Sequence, residues 1–133
     1  MSKIKALQDY FEQFDGIEIL TQSDKGESIA LFPTGNSSPT FDTIGNRYYS
    51  RSYQMLFKKP AFEESARQAN YSWLEDLCDW AEDKVENQDF PDFGEGYRVQ
   101  TLTLANIQPF DADESFSLVV YSVQINITYY KEV

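Results

Sequence analysis

The sequence predicts an α+β fold: a mostly antiparallel or mixed sheet packed by two helices, in the order α-β-β-β-α-β-β. Three observations predict it. Ile4, Leu7, Tyr10, Phe11 and Phe14 recur at three- and four-residue steps, and so does a second, longer apolar series between Ala61 and Glu86. Arg47–Lys58 and Ser115–Tyr130 alternate with a period of two. Between these segments lie clusters of Gly, Pro, Asn and Asp. With 133 residues, no solenoid repeat and no linker composition, residues 1–133 read as one domain.

The elements follow in chain order. Residues 2–15 form the first helix, with Ser2 as the cap and Gly16 just past the end. Ile17–Leu20 and Ser28–Phe32 are short strands joined by the Ser23-Asp24-Lys25-Gly26 turn, which makes a hairpin. Ser28–Phe32 is apolar enough for burial on both faces. Pro33–Pro39, extending through Asn46, reads as a loop. Arg47–Lys58 is a long strand with Tyr49, Arg51, Tyr53, Met55 and Phe57 on one side; Pro60 ends it and opens the next helix.

The second helix runs from Ala61 to Glu86. Phe62, Ala66, Ala69, Trp73, Leu77, Trp80 and Ala81 form its stripe, with Leu74, Cys78 and Val85 beside it. Its last turns carry Asp79, Glu82, Asp83 and Glu86, the unfavourable sign at a helix C-terminus. Asn87–Gly96 is a loop. Tyr97–Ile107 is a strand with Tyr97, Val99, Thr101, Thr103, Ala105 and Ile107 on one face, and Gln108–Glu114 is a loop. In the final strand Val119, Tyr121, Val123, Ile125, Ile127 and Tyr129 make one apolar face. The opposite face turns from apolar to polar at Ser122, Gln124, Asn126 and Thr128, so its first half is covered on both sides and its second half on one.

Composition excludes several classes of chemistry. There is no histidine, hence no Ser-His or Cys-His pair and no imidazole ligand. The one cysteine, Cys78, cannot close an intramolecular disulfide. No phosphate-cradling glycine motif or nucleophile elbow occurs among the six glycines. Asp111, Asp113 and Glu114 lack the turn glycine of a calcium loop and run straight on into a strand; this cluster, and Asp89, Asp92 and Glu95 in the loop before, read as solvated acidic loops. Acidic neighbours at Asp76 and Asp79 make Cys78 a poor nucleophile. Trp73 and Trp80 read as packing residues. The sequence thus predicts no catalytic residue, no metal and no cofactor: not an enzyme.

The net charge is −11. Residues 1–60 hold seven basic and seven acidic side chains, so the whole excess lies in residues 61–133. Such a field repels phosphate backbones and anionic membranes, which argues against direct nucleic-acid or membrane binding. Arg47 and Arg51 among Tyr48, Tyr49 and Tyr53 therefore read as core or interface residues and not as a base-stacking platform. Met1–Tyr10 has no apolar stretch of a signal peptide, and the expected compartment is a reducing cytoplasm.

The ordering and several phrases resemble one family, the tailed-phage minor capsid proteins, related in architecture to tail terminator and tail completion proteins. The amphipathic helix Ser2–Asp15 and the segment Ile29-Ala30-Leu31-Phe32-Pro33-Thr34-Gly35 carry the likeness. So do the strand Arg51–Lys58 before the long helix and the acidic loop leading into a long strand at Asp111–Lys131. Here Gly35 is followed by Asn36-Ser37-Ser38-Pro39 and not by a further glycine. The resemblance implies a virion structural protein of the head–tail joining region, assembled in the bacterial host cytoplasm. Its partners would be copies of itself in a ring, often six-membered in that family, and other tail or connector proteins. Head-to-tail rings need interfaces between unlike surfaces. The expected interface residues are Pro33, Thr34, Gly35, Asn36, Arg47, Arg51, Asp111, Asp113 and Glu114. An acidic half lining the bore would let DNA slide without sticking. The alternative is an acidic binding or inhibitor module, immunity-type or nucleic-acid-mimicking, that takes a basic partner.

Overall fold

A computed structural model describes residues 2–21, 27–36, 38–61, 63–112 and 118–132. It shows the α+β class and the predicted element order: α1 (Lys3–Phe11), β1 (Ser28–Asn36), β2 (Thr40–Phe41), β3 (Arg47–Pro60), α2 (Glu64–Glu86), β4 (Tyr97–Ala112) and β5 (Leu118–Lys131). The strands form one antiparallel sheet in the order β1-β3-β5-β4, with β2 continuing the β1 side of β3. β5 lies between β3 and β4, and its fourteen residues pair with β3 without interruption.

The register explains the core. Met55 faces Val123, Tyr53 faces Ile125 and Phe57 faces Tyr121, so the odd-numbered residues of both strands share one side. Both helices cover that side. Ala6, Leu7, Tyr10 and Phe11 of α1 and Leu74 and Leu77 of α2 join Val119, Tyr121, Val123, Ile125, Ile127 and Tyr129 in a single buried cluster. The apolar face predicted for the last strand is buried throughout. Each aliphatic side chain there is worth about 1.5–3 kcal/mol relative to exposure. Trp73 and Trp80 are half-buried between the helices, with rings 5.2 and 5.7 Å from Phe14.

Several boundaries differ from expectation. α1 is capped by Ser2, whose hydroxyl accepts from Lys5 N–H at 3.3 Å, but it ends at Phe11. Tight i→i+3 bonds (Gln13 to Tyr10, Phe14 to Phe11) carry the chain onward, so Gly16 is not the residue after the helix. Residues 17–20 are not a hairpin arm. Leu20 forms a parallel bridge to Ala30, and Ile19 bonds α1 side chains instead: its N–H donates to Glu12 at 3.1 Å and its carbonyl accepts from Gln8 at 3.0 Å. Pro60 belongs to β3, opposite Leu118, and α2 begins at Glu64. Asn70 and Arg67 reach back to the carbonyls of Pro60 and Ala61 at 2.9 and 2.8 Å, satisfying the connection. Ala69 is exposed, outside the buried stripe of α2.

The segment expected as a loop over 33–46 contains β structure at 33–36 and 40–41. Pro33, Gly35 and Asn36 pair with Tyr53, Ser52 and Arg51, with a bulge between Pro33 and Gly35, and Phe41 pairs with Arg47. Proline is tolerated because this part of β1 lies at the sheet edge, where a missing N–H costs no ladder bond. β4 likewise runs on through Ala112, replacing the expected loop at 108–112. Its register shifts between Val99 and Thr101, which moves Leu102 and Leu104 onto the core side opposite Ile127 and Ile125. Thr101 and Thr103 therefore point away, contrary to the predicted face.

Candidate functional site

Among the expected interface residues, Asn36, Arg47 and Arg51 lie toward one end of the sheet and Asp111 toward the other. Asn36 and Arg51 are register partners, and Arg47 lies four residues before Arg51 on the same side of β3. Pro33, Thr34 and Gly35 continue along β1 toward the middle of the sheet. Asp111 sits in β4 opposite Val120, while Arg47 lies opposite Lys131. Eleven residues of β5 separate Val120 from Lys131, about 36 Å at 3.3 Å per residue. Asp113 and Glu114 lie outside the described residues. Asp111 and the arginine pair thus lie toward opposite ends of the sheet.

Around Arg47 and Arg51 the structure gathers side chains that sequence spacing had kept apart. Tyr49 stacks on Tyr129 at 5.0 Å, with interplanar angle 13°. The Arg51 guanidinium lies 4.9 Å from the Tyr49 ring and Lys3 Nζ 4.3 Å from the Tyr97 ring. Lys131 is 5.5 Å from Tyr97, and Arg47 is 5.8 Å from Phe41. Cations held over ring faces keep their charge while giving up part of their hydration. Among the described residues, Lys3, Arg47 and Lys131 have no carboxylate within ion-pair distance. Arg47 and Lys131 face each other across the strands, a like-charge pair that disfavours the fold unless something else uses it. Burial raises the Tyr129 hydroxyl above the ordinary phenol value, against the opposing pull of Arg51. Lys3 and Lys131 were legible only as helix-start and strand-end residues; no periodicity links them to β3.

The acidic charge collects elsewhere. Glu75, Asp76, Asp79, Glu82, Asp83 and Glu86 are all exposed on the second half of α2. Lys84, the basic residue of the last turn, is engaged by Asp89 at 2.8 Å and Gln13 at 3.0 Å. A cleft of 310 Å³ opens between this helix and β4, lined by Cys78, Ala81, Glu82, Val85, Leu102 and Leu104 among others. Burial raises the Cys78 thiol above its ordinary value, reinforced by Glu82, Asp79 and Glu75, so the thiolate needed for nucleophilic or redox chemistry is disfavoured.

The third feature is the side of the sheet away from the helices. Ser52 donates to Asn126 at 3.1 Å, Gln54 to Ser122 at 2.6 Å, and Gln124 to Asn126 at 3.0 Å. Thr101 and Thr128 share a short hydroxyl contact. At the Arg47 end this face finishes in Tyr48 and Tyr130, rings 5.5 Å apart, with the Tyr48 hydroxyl donating to Asp42 at 3.0 Å. The polar half of β5 was visible in sequence; its match to Ser52 and Gln54 of β3 was not, because register is a tertiary property.

Among the described residues no group of three or more acidic or cysteine side chains is arranged to hold a metal ion, and no helix is long and apolar enough to cross a membrane. No family model and no curated protein matches the chain.

Proposed function

We propose that this chain is a structural protein of the head–tail joining region of a tailed phage, similar to minor capsid and tail terminator proteins. It acts through contacts between its own copies and with neighbouring tail or connector proteins. The supporting observation is the separation of charge on one small body. Lys3, Arg47, Arg51 and Lys131 lie over aromatic rings at a sheet end, while six exposed carboxylates stand on the second half of α2. A two-fold contact centred on either patch would set like against like. A head-to-tail contact sets the cationic sheet end of one copy on the acidic helix of the next, the geometry that closes into rings.

The test is sedimentation of the full chain over a range of concentration and salt, together with inspection of the neighbouring genes. Species larger than a monomer that dissolve as salt rises, and portal or tail-tube genes alongside, support the reading. Arg47→Glu with Lys131→Glu abolishes the assembly, and adding Glu82→Lys with Asp83→Lys restores it. A chain that stays monomeric at every concentration, in a locus without virion genes, overturns it. The α2 carboxylates also favour one second reading, an acidic module that neutralises a basic protein; a tight one-to-one complex with such a protein and no self-assembly selects it.

A further inference from the structure

On the helix-free side of the sheet, a cleft of 380 Å³ is lined by Thr34, Gln54, Asn106, Gln108, Ser122 and Gln124. All six are neutral and hydrogen-bonding, on a chain whose net charge is −11. Two irregularities frame it. One is the β1 bulge between Pro33 and Gly35; the other is the β4 shift between Ala105 and Gln108, where Asn106 takes a φ of 56°. Bulges re-aim side chains out of strict alternation, and these two stand on opposite sides of the β3–β5 ladder.

The floor is ordered. Gln54 Nε2 donates to Ser122 Oγ at 2.6 Å, and Ser122, at 5 % exposure, is a buried polar residue. Asn106 Nδ2 donates to Gln124 Oε1 at 2.7 Å, and Gln124 donates onward to Asn126. These bonds fix the amide planes and leave capacity unused. Among the described residues, the Ser122 hydroxyl proton, Gln54 Oε1, Asn106 Oδ1, the Gln108 amide and the Thr34 hydroxyl have no partner. Phe32 and Leu56, register partners of Gln54 and Ser122, place half-buried apolar surface beside them.

We propose that this cleft binds a neutral saccharide unit. A charged ligand would lose its hydration there without meeting a counter-charge. A purely apolar one would leave the amides unpaired. Ring hydroxyls both donate and accept, as the free groups require. The volume lies at the small end of ligand pockets, enough for one or two rings.

The experiment is an amide-resolved NMR titration of the full chain with a panel of neutral mono- and disaccharides: glucose, galactose, N-acetylglucosamine, maltose, lactose and chitobiose. The expected result is a saturable shift of the Gln54, Asn106, Gln108 and Gln124 side-chain amides with at least one of them, insensitive to salt. Gln108→Ala and Thr34→Ala, both at exposed positions, each weaken that binding about five-fold, the size of one neutral hydrogen bond, while the remaining spectrum is unchanged. No saturable shift with any of the six sugars, binding that survives both substitutions unaltered, or shifts induced only by charged sugars or by a neutral polar peptide overturns the proposal.

Discussion

The Tyr10 hydroxyl donates to the Asp89 carbonyl oxygen at 2.8 Å, joining two residues 79 apart in sequence. Tyr10 is 3 % exposed, so α1 is tied at this point to the turn that follows α2. Burial, with the Asp89 charge nearby, pushes its pKa far above the ordinary phenol value. Tyr10→Phe keeps the ring packing against Phe11 and Trp80 but strands the carbonyl. The expected loss is about 1–2 kcal/mol, read from urea unfolding with an unchanged m-value. The sign of the pH dependence follows. A raised folded-state pKa favours the neutral hydroxyl, so the contribution is complete below the unfolded value near 10 and declines as pH climbs past it.

Asp42 organises the turn before β3. Its carboxylate accepts from the Ile44 and Asn46 N–H groups at 3.1 and 2.9 Å, from the Asn46 amide at 3.0 Å and from the Tyr48 hydroxyl at 3.0 Å. Desolvation pushes its pKa up, and the hydrogen bonds outweigh it, leaving the group below the ordinary 3.8. The ionised form is therefore the one the fold prefers. Its contribution is complete above the unfolded value and is lost as pH falls through the lower folded one. Asp42→Asn, which keeps a carbonyl acceptor, retains more of the turn than Asp42→Ala; amide exchange at Ile44 and Asn46 measures the difference.

Asn106 holds a left-handed backbone inside β4. Asn106→Gly relieves the backbone but forfeits the bond to Gln124, whereas Asn106→Val adds a β-branched clash. The valine variant is expected to be less stable than the glycine variant by about 1–2 kcal/mol in thermal unfolding.

Cys78 should react slowly. With its thiol raised by burial and three nearby carboxylates, modification by a disulfide reagent at pH 8 is expected to be well below the rate of a small free thiol, and to accelerate on unfolding. Equal rates in native and unfolded protein would contradict the burial described for the α2–β4 cleft.

How much of this was legible follows the range of each signal. Helix and strand identity came from local period, and the β5 core face from Val119 to Tyr129 emerged complete because nothing interrupts its pairing with β3. The predicted β4 face failed at one unpaired residue, Gln100, which reverses the alternation after Val99. Pro33, Gly35 and Asn36 read as a loop by composition, yet an edge position asks little of their N–H groups. The arginine half of the candidate surface was readable from alternation in β3. Its lysines were not, since Lys3 reaches Tyr97 only once α1 has folded over the sheet.

The position of β5 has a consequence for how the chain is made. It is the last described strand to leave the ribosome, yet both β3 and β4 depend on it for their shared pairing. Until it arrives, the nascent chain holds two unsatisfied strand flanks that can join only by admitting a third between them. Nonsense mutations that remove even part of residues 118–131 should therefore leave no partly working remnant, and translational pausing before that segment should expose the chain to proteases and chaperones.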